Sequence, residues 1–183
     1  MSITTQLLTY RDLEQFPDDG MRYEIIDGVL YMSPAPLEIH QWSSGELYAV
    51  LRQAVIETGW GWVYYAPVDV RFAEDSQVQP DLLVIRRDRL HIYQGNTVHG
   101  APDLVVEIIS PSNPSYDQVA KRRLYEAGGV LEYWLVDPGA RTFHILALRH
   151  GAYVPVDPIA GVFLSTVVPG LTIDPVAIFA ARD

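Results

Sequence analysis

The stretch Pro102-Asp-Leu-Val-Val-Glu-Ile-Ile-Ser-Pro-Ser112 decides the fold, because one acid, Glu107, interrupts an otherwise apolar run. Apolar runs of this kind are typical of strands that are buried on both faces of a sheet. An ionised carboxylate without a partner is costly in that environment. We therefore expect the Glu107 carboxyl to be salt-bridged, protonated, bound to a metal or open to a cleft.

Two further acids lie beside or within predicted strands. Asp81 follows Pro80 and precedes the apolar run 82–85, while Glu24 lies within the predicted strand 23–26. Taken singly, Glu107 can be an ordinary salt-bridge partner, Asp81 a turn or cap residue, and Glu24 an outward-facing hairpin residue. Taken together, carboxylates at the ends of adjacent strands make an oxygen-rich site for a hard cation such as Mg²⁺. Such a cation supports phosphodiester hydrolysis, because it polarises the phosphoryl oxygen and activates water.

The chain has one lysine, Lys121, among its 13 basic side chains. It lies on the predicted helix that follows the Glu107 strand. A compact ammonium, unlike a guanidinium, can share or lose a proton when it is buried. Lys121 is therefore the candidate cation for the acidic site. The alternative interpretation is an ordinary surface ion pair between Asp117 and Lys121, which lie one helical turn apart.

The rest of the chain reads as short strands and amphipathic helices. Asp27-Gly28 favours a tight turn between strands 23–26 and 29–32. Apolar spacing predicts a long helix over residues 38–58 and a second over 116–127, which ends at two glycines. Further strands are predicted over residues 62–66, 68–72, 82–85, 104–109, 132–136 and 142–148, with short helices at 10–16 and after Asp174.

The composition indicates one globular domain over residues 1–183. The chain is 49% apolar, 20% charged and free of cysteine, which excludes disulfides, thiolate zinc sites and a cysteine nucleophile. The sequence has no secretory signal and no membrane-spanning run, so we expect a cytoplasmic protein. The net charge of −10 argues against non-specific nucleic-acid binding. It does not exclude a nucleic-acid enzyme, because net charge does not describe local fields.

The order Pro80-Asp81, Glu107 in an apolar strand and Lys121 on a helix resembles the PD-(D/E)xK nuclease pattern with its αβββαβ core. More specifically, the chain from about residue 9 to 169 is similar to the Uma family of restriction-endonuclease-like proteins. The segments that carry this similarity are Arg22-Tyr-Glu-Ile-Ile-Asp-Gly28, the following helix with His40, the 102–112 stretch, Tyr116-Asp117 with Lys121 and Tyr125, and Glu132-Tyr-Trp-Leu-Val-Asp-Pro138. The resemblance implies a mixed α/β fold with a mixed central sheet, an N-terminal helix and hairpin, and extra C-terminal strands.

The resemblance also implies a Mg²⁺-dependent site that cleaves DNA, with Mn²⁺ as a substitute ion. Asp81 and Glu107 would hold the metal together with Ile108. Lys121 would stabilise charge or orient water, and Glu24 would supply a further catalytic carboxylate.

The chain departs from these patterns at three positions. In the wider nuclease pattern the lysine stands two residues after the glutamate, where this chain has Ile109. Lys121 can serve only if its helix folds back over the Glu107 strand. The smaller departures from the family are Gly128 and Leu131 at the exit of that helix.

The other candidate motifs have simpler interpretations. No dinucleotide loop, Walker loop or nucleophile elbow is present, and the five histidines show no metal-ligand spacing. His40 is interpreted as a hydrogen-bonded structural residue. The basic clusters at 86–89 and 121–123 either contact phosphates or form solvated charged faces.

Two functions from different classes remain. The first is a Mg²⁺-dependent DNA endonuclease, and the second is a catalytically inactive module with the same fold that binds protein or nucleic acid. Acids inside strands and the single lysine favour the enzyme, whereas the charge of −10 favours the module. A homodimer is expected for either role, because two sites are needed to cut both strands of a duplex and two-fold pairing is the commonest assembly.

Overall fold

The computed structural model describes residues 7–110 and 116–180. Its helices are α1 (Tyr10–Leu13), α2 (Glu38–Leu51), α3 (Arg122–Gly128) and α4 (Pro175–Ala180). Its strands are β1 (Arg22–Ile26), β2 (Val29–Ser33), β3 (Gly61–Tyr65), β4 (Asp69–Ala73), β5 (Ser76–Val78), β6 (Leu82–Arg86), β7 (Tyr93–Gln94), β8 (Thr97–His99), β9 (Leu104–Ile108), β10 (Glu132–Asp137), β11 (Thr142–Arg149), β12 (Ala152–Val156), β13 (Phe163–Leu164) and β14 (Thr172–Ile173).

Over these residues the strands form two six-stranded sheets and a small ribbon of β13 and β14. The central sheet has the order β12-β11-β10-β9-β6-β3, in which β9 and β10 are parallel and the other neighbours antiparallel. The predicted pairing of strands 82–85 and 104–109 is confirmed as β6 against β9. The sequence of elements α2, β3, β6, β9, α3 and β10 reproduces the expected αβββαβ core.

The second sheet, here called the N-terminal sheet, has the order β2-β1-β5-β4-β8-β7. It contains the predicted hairpin of β1 and β2 around Asp27 and Gly28, both of which have positive φ. The short strands β5, β7 and β8 were not predicted, because they lack a run of alternating apolar residues long enough to read as strands.

The central sheet is covered on both faces, which explains the nearly continuous apolar runs of β6 and β9. One face packs against α2 and α4, through residues such as Leu47, Leu51 and Ile178. The opposite face packs against the N-terminal sheet and α3, through residues such as Val78 and Tyr125. The inward face of the N-terminal sheet and the Glu107 face of β9 therefore lie in the same interior layer.

Both predicted long helices contain a π-helical turn. Residues 38–58 form α2 followed by the turn Arg52–Ile56, and residues 116–127 form the turn Tyr116–Lys121 followed by α3. α3 is capped by Gly129 in the left-handed conformation. A Cβ atom at Gly128 would lie 2.4 Å from the ring of Phe72, so a larger residue there would force that ring to move. The N-terminal helix ends at Leu13, earlier than predicted.

None of the helices within residues 7–110 and 116–180 has both the length and the hydropathy that a membrane span requires.

Candidate functional site

The register of β6 and β9 aligns the two acids that the sequence singled out. Leu82 lies opposite Val106, and continuing this antiparallel register by one residue places Asp81 opposite Glu107. Directly opposed residues of an antiparallel pair have their Cβ atoms about 4.5–5.5 Å apart. Asp81 is 3% exposed and Glu107 1% exposed. Two carboxyl groups are therefore buried at the same end of the central sheet.

Lys121 lies over Glu107, because its helix folds back across the sheet. Its Nζ atom is 3.0 Å from Oε2 of Glu107 and 3.1 Å from Oε1 of Glu24. Lys121 is 1% exposed, so the interpretation as a surface ion pair is wrong. The side chain of Asp117, the partner in that interpretation, lies outside the described residues. The buried ammonium joins a strand of each sheet.

Glu24 faces the interior between the two sheets. It is 1% exposed, so the outward-facing hairpin interpretation is wrong. Its Oε1 atom accepts a hydrogen bond of 2.6 Å from the backbone N–H of Gln79 as well as the contact with Lys121. Glu24 shares this face of β1 with Ile26, which packs in the interior layer between the sheets.

Asp81 is held by donors from three different elements. Nη1 of Arg22 lies 3.2 Å from its Oδ1 atom, and Nε2 of His40 lies 3.1 Å from its Oδ2 atom. The backbone N–H of Ile108 also donates to Oδ2, at 2.8 Å. His40 thus has the hydrogen-bonded role that the sequence indicated, and its partner is a residue of the candidate site. The interpretation of Asp81 as a turn or cap residue does not account for its contacts with Arg22 and His40.

The environment lowers the pKa of Asp81. Burial alone would raise it, but the hydrogen bond with His40 and the charges of His40, Arg22 and Lys121 outweigh burial and bring the pKa to about 2. The Asp81 carboxyl is therefore ionised at neutral pH. In contrast, burial and the nearby charges of Glu107 and Glu24 raise the pKa of Tyr125 well above its ordinary value. The Tyr125 hydroxyl stays protonated and donates to Oε1 of Glu107 at 2.5 Å.

We expect the low pKa of Asp81 to appear as acid sensitivity of the fold. A carboxyl whose pKa falls on folding stabilises the protein above its unfolded pKa, and this contribution disappears as the pH drops through the folded pKa. For a fall from 3.8 to about 2 the contribution is about 2 kcal/mol, lost between about pH 4 and pH 2. Urea unfolding at pH 7 and at pH 2.5 measures it.

The Asp81→Asn variant should lose less stability over this pH interval than the wild type does. Asp27→Asn is a matched control, because Asp27 lies in an exposed turn with positive φ, a conformation that asparagine also adopts. Equal acid sensitivity in Asp81→Asn and the wild type would contradict the assignment.

A cavity of about 30 Å³ lies among these side chains. It has room for a water molecule or an ion but not for a larger ligand. Glu24, His40, Asp81, Glu107 and Lys121 all line it. It adjoins an open groove of about 330 Å³, with which it shares Arg22, Pro36, His40 and Asp81. The buried carboxylates can therefore be reached from the surface.

The donor set around this cavity fits a hard cation. Among the described residues that line it, the carboxylates of Glu24, Asp81 and Glu107 outnumber the permanent cations Arg22 and Lys121. No group of three or more His, Cys, Asp or Glu side chains in the described part of the chain is arranged to hold a metal. Mg²⁺ commonly uses only one or two carboxylates and completes its coordination with water and substrate phosphate. Asp81 and Glu107 fit that kind of site.

Comparison with known families identifies the chain. The model of the Uma2 family, described as "Putative restriction endonuclease", matches residues 9–176. The chain belongs to the Uma2 family. This confirms the resemblance that the sequence indicated over about residues 9–169.

A solved structure has the same fold as this Uma2 chain. It is a crystal structure from Anabaena variabilis ATCC 29413, described as "a putative nuclease belonging to DUF820", with a TM-score of 0.80 and 20% sequence identity. The similarity covers 94% of this chain and 98% of that one. The search of curated proteins gives no match.

Sequence reasoning missed two residues of the site in this Uma2 chain. Arg22 precedes Glu24 by two residues, so strand alternation places both on one face of β1. Tyr125 follows Lys121 by four residues, so both lie on one helical face. These spacings were the available signals, but neither indicates which carboxylate the side chain contacts.

Apart from Lys121, the residues of the two basic clusters have no contact with the site among the described residues. Arg86 pairs with Asp88, and Arg89 pairs with Asp103. Both pairs lie near the end of β6, whereas Asp81 lies just before its start. Lys121 is buried and separate from its exposed neighbours in the 121–123 cluster. Of the residues expected to hold a metal, Ile108 has its side chain in the apolar core, so only its backbone carbonyl could serve.

Proposed function

We propose that this chain is a Mg²⁺-dependent endodeoxyribonuclease. One observation carries the proposal: the ammonium of Lys121 is buried between Glu107 and Glu24, beside the ionised carboxylate of Asp81. Burying three carboxylates with one lysine carries a desolvation free energy that apolar side chains of similar volume would avoid. Membership of a family described as "Putative restriction endonuclease" agrees with phosphodiester hydrolysis as its use.

The metal would be held by Asp81 and Glu107, with the backbone carbonyl of Ile108 as a further ligand. When bound, Mg²⁺ supplies Lewis-acid polarisation of the phosphate and a lower pKa of coordinated water. Mn²⁺ is expected to substitute, because carboxylate, carbonyl and water ligands suit both ions.

The other residues of the site act on charge and position. The Lys121 ammonium would orient the attacking water and meet the negative charge that develops on the phosphoryl oxygens. Glu24 holds Lys121, and Tyr125 donates to Glu107. Arg22 and His40 hold the Asp81 carboxylate from the groove side. A phosphate would approach through that groove, where positive charge from Arg22 is available.

The chain is proposed to act as a homodimer. One site of this kind can cut one strand at a time, and a two-fold dimer presents two sites to the two strands of a duplex.

A second candidate function is a catalytically inactive module that binds protein or nucleic acid. It is favoured by the net charge of −10 and by the engagement of both Asp81 oxygens with donors from the chain itself. A module that has replaced metal coordination by these internal contacts would keep the fold and would not respond to divalent ions.

Metal binding distinguishes the two functions. Mg²⁺ or Mn²⁺ at about 100 times its dissociation constant should stabilise the wild type by about 2.7 kcal/mol. The stabilisation should be absent in Asp81→Ala, because that variant has lost one of two carboxylate ligands. Thermal unfolding with and without each ion measures the shift, and nicking of supercoiled plasmid measures activity.

Asp88→Ala is the matched control, since Asp88 is exposed and pairs only with the nearby Arg86 among the described residues. Wild-type protein that neither shifts with the ions nor nicks the plasmid would establish the inactive module. A shift that persists in Asp81→Ala would place the metal elsewhere.

A further inference from the structure

A second cavity, of about 440 Å³, lies on the outer face of the N-terminal sheet. We call it the outer pocket. Its floor is formed by side chains of β4 and β5, and its wall by α1 and the segment that leads to β1. Its volume falls in the range of small-ligand sites, about 300–1,000 Å³. It is therefore large enough for one planar ring system, unlike the small cavity beside Lys121.

The floor of the outer pocket presents unused hydrogen-bonding groups. Nε of Arg71 donates to Oε1 of Gln77, and Nε2 of Gln79 donates to Oδ1 of Asp69, each at 2.9 Å. Gln77 is only 5% exposed, and its side-chain nitrogen has no acceptor among the described residues. A buried amide donor without an acceptor is costly. The other oxygens of Asp69 and Gln79 supply acceptors on the same floor.

Planar side chains from both the wall and the sheet line the outer pocket. The rings of Phe16 and Tyr23 are stacked, with centroids 4.9 Å apart and planes inclined by 26°. The guanidinium carbon of Arg71 lies 3.3 Å from the centroid of the Tyr10 ring. Each group in these two pairs has one face covered by its partner, so a planar heterocycle would stack on the other face.

The charge of the outer pocket disfavours a phosphate group. Arg22 and Arg71 line it together with the acids Glu14, Asp18 and Asp69. These charges leave no positive excess for an anion. They suit an uncharged ring whose edge carries both donors and acceptors, which is the chemistry of a nucleobase.

The outer pocket is joined to the candidate active site through the segment that ends at Asp81. The backbone N–H of Gln79 donates to Glu24 at 2.6 Å, and its carbonyl accepts from Nη1 of Arg22 at 3.1 Å. The side chain of Gln79 lies in the outer pocket, while Arg22 lines both cavities. The outer pocket and the candidate site therefore share Arg22, one of the groups that hold Asp81.

We propose that the outer pocket binds one unpaired nucleobase of the DNA substrate, next to the scissile phosphate. This rests on the proposed nuclease function and adds a substrate class to it: DNA with a single-stranded or extrahelical nucleotide at the cleavage site. A paired base cannot enter the pocket, because its hydrogen-bonding edge is occupied and its ring is stacked in the duplex.

The test measures binding in EDTA, so that it does not depend on cleavage. Fluorescence anisotropy compares a fully paired duplex, the same duplex with one unpaired nucleotide, and a single strand. The wild type should bind the two substrates with unpaired bases at least about tenfold more tightly than the paired duplex, as expected for one well-placed base contact. Gln77→Leu should lose this preference.

Two further variants keep the test decisive. Leu13→Trp fills the pocket from α1 without altering its floor, so it should also lose the preference even where Gln77→Leu fails to fold. Gln53→Leu is the matched control, because Gln53 is exposed on the turn after α2, on the opposite side of the central sheet from the N-terminal sheet. It should bind like the wild type.

The outcomes separate this inference from the proposed function. If the wild type nicks plasmid but shows no preference for unpaired bases, base binding by the outer pocket is contradicted and the proposed nuclease function stands. A preference that survives both Gln77→Leu and Leu13→Trp would overturn it equally. Competition by free deoxynucleoside monophosphates that exceeds competition by the oligonucleotides would assign the pocket to a free nucleotide instead. Absence of both nicking and nucleic-acid binding would overturn the two proposals together.

Discussion

Replacement of Lys121 by methionine is expected to destabilise the protein by about 3–5 kcal/mol, the cost of removing one partner from a buried ion pair. Methionine keeps most of the side-chain volume but leaves Glu24 and Glu107 without the ammonium that lies 3.1 and 3.0 Å from them. Nicking should also fall by a factor on the order of 10² or more, because a preorganised charge donor is lost. Urea unfolding at pH 7 and plasmid nicking measure the two effects.

Arg123→Met is the matched control, because Arg123 is an exposed cation on the same helix. It should change stability by only a few tenths of a kcal/mol, as surface charges usually do (about 0.5 kcal/mol at most). The double variant Glu24→Gln/Lys121→Met should recover part of the lost stability, since one uncompensated carboxylate has been removed. A Lys121→Met protein as stable as the wild type would show that the ion pairs contribute nothing.

Replacement of Glu107 by glutamine is expected to reduce cleavage by at least about 10² and to lower stability by about 1–3 kcal/mol. The neutral amide removes one of the two carboxylates proposed to hold Mg²⁺. It also turns either a weaker acceptor or an N–H group toward Lys121, whose ammonium can only donate. Single-turnover cleavage and chemical unfolding on the same preparation measure the loss.

Glu132→Gln is a closely matched control for this variant. Glu132 is also a fully buried glutamate on a central strand, but its carboxylate accepts from Trp134, Ser165 and Thr166, away from the candidate site. This variant should lose comparable stability and keep cleavage by the folded fraction. Equal activity of the Glu107 and Glu132 variants would remove Glu107 from the mechanism.

The central sheet was predictable from the sequence because its strands are individually distinctive. The apolar run around Glu107 and the run after Asp81 both read as doubly buried strands, and only a neighbouring position lets them share an acidic site. The helix of Lys121 was marked by its spacing and by the glycines at its end. These are local patterns, and a local pattern predicts the structure correctly when the tertiary packing favours the same secondary structure.

The orientation of Glu24 was not predictable in the same way. A shift of one residue in the register of β1 would turn its side chain from the interior to solvent. That register is fixed by pairing with the short strand β5 and by packing of the N-terminal sheet against the central sheet. β5 consists of Ser76, Gln77 and Val78 and gives no alternating apolar signal. The partners of Asp81 were not predictable either, because the contacts of Arg22 and His40 with Asp81 depend on how the two sheets and α2 pack together.

The contact between Glu24 and Lys121 also bears on how long the folded state lasts. These residues belong to opposite halves of the chain, so their meeting closes a long loop and carries its entropic cost. Contacts of this kind are expected to form after the folding barrier has been crossed, and they slow unfolding more than they speed folding. The lysine proposed to act on phosphate would then also set the lifetime of the protein against proteolysis, and its loss would be seen first as faster opening of the two sheets.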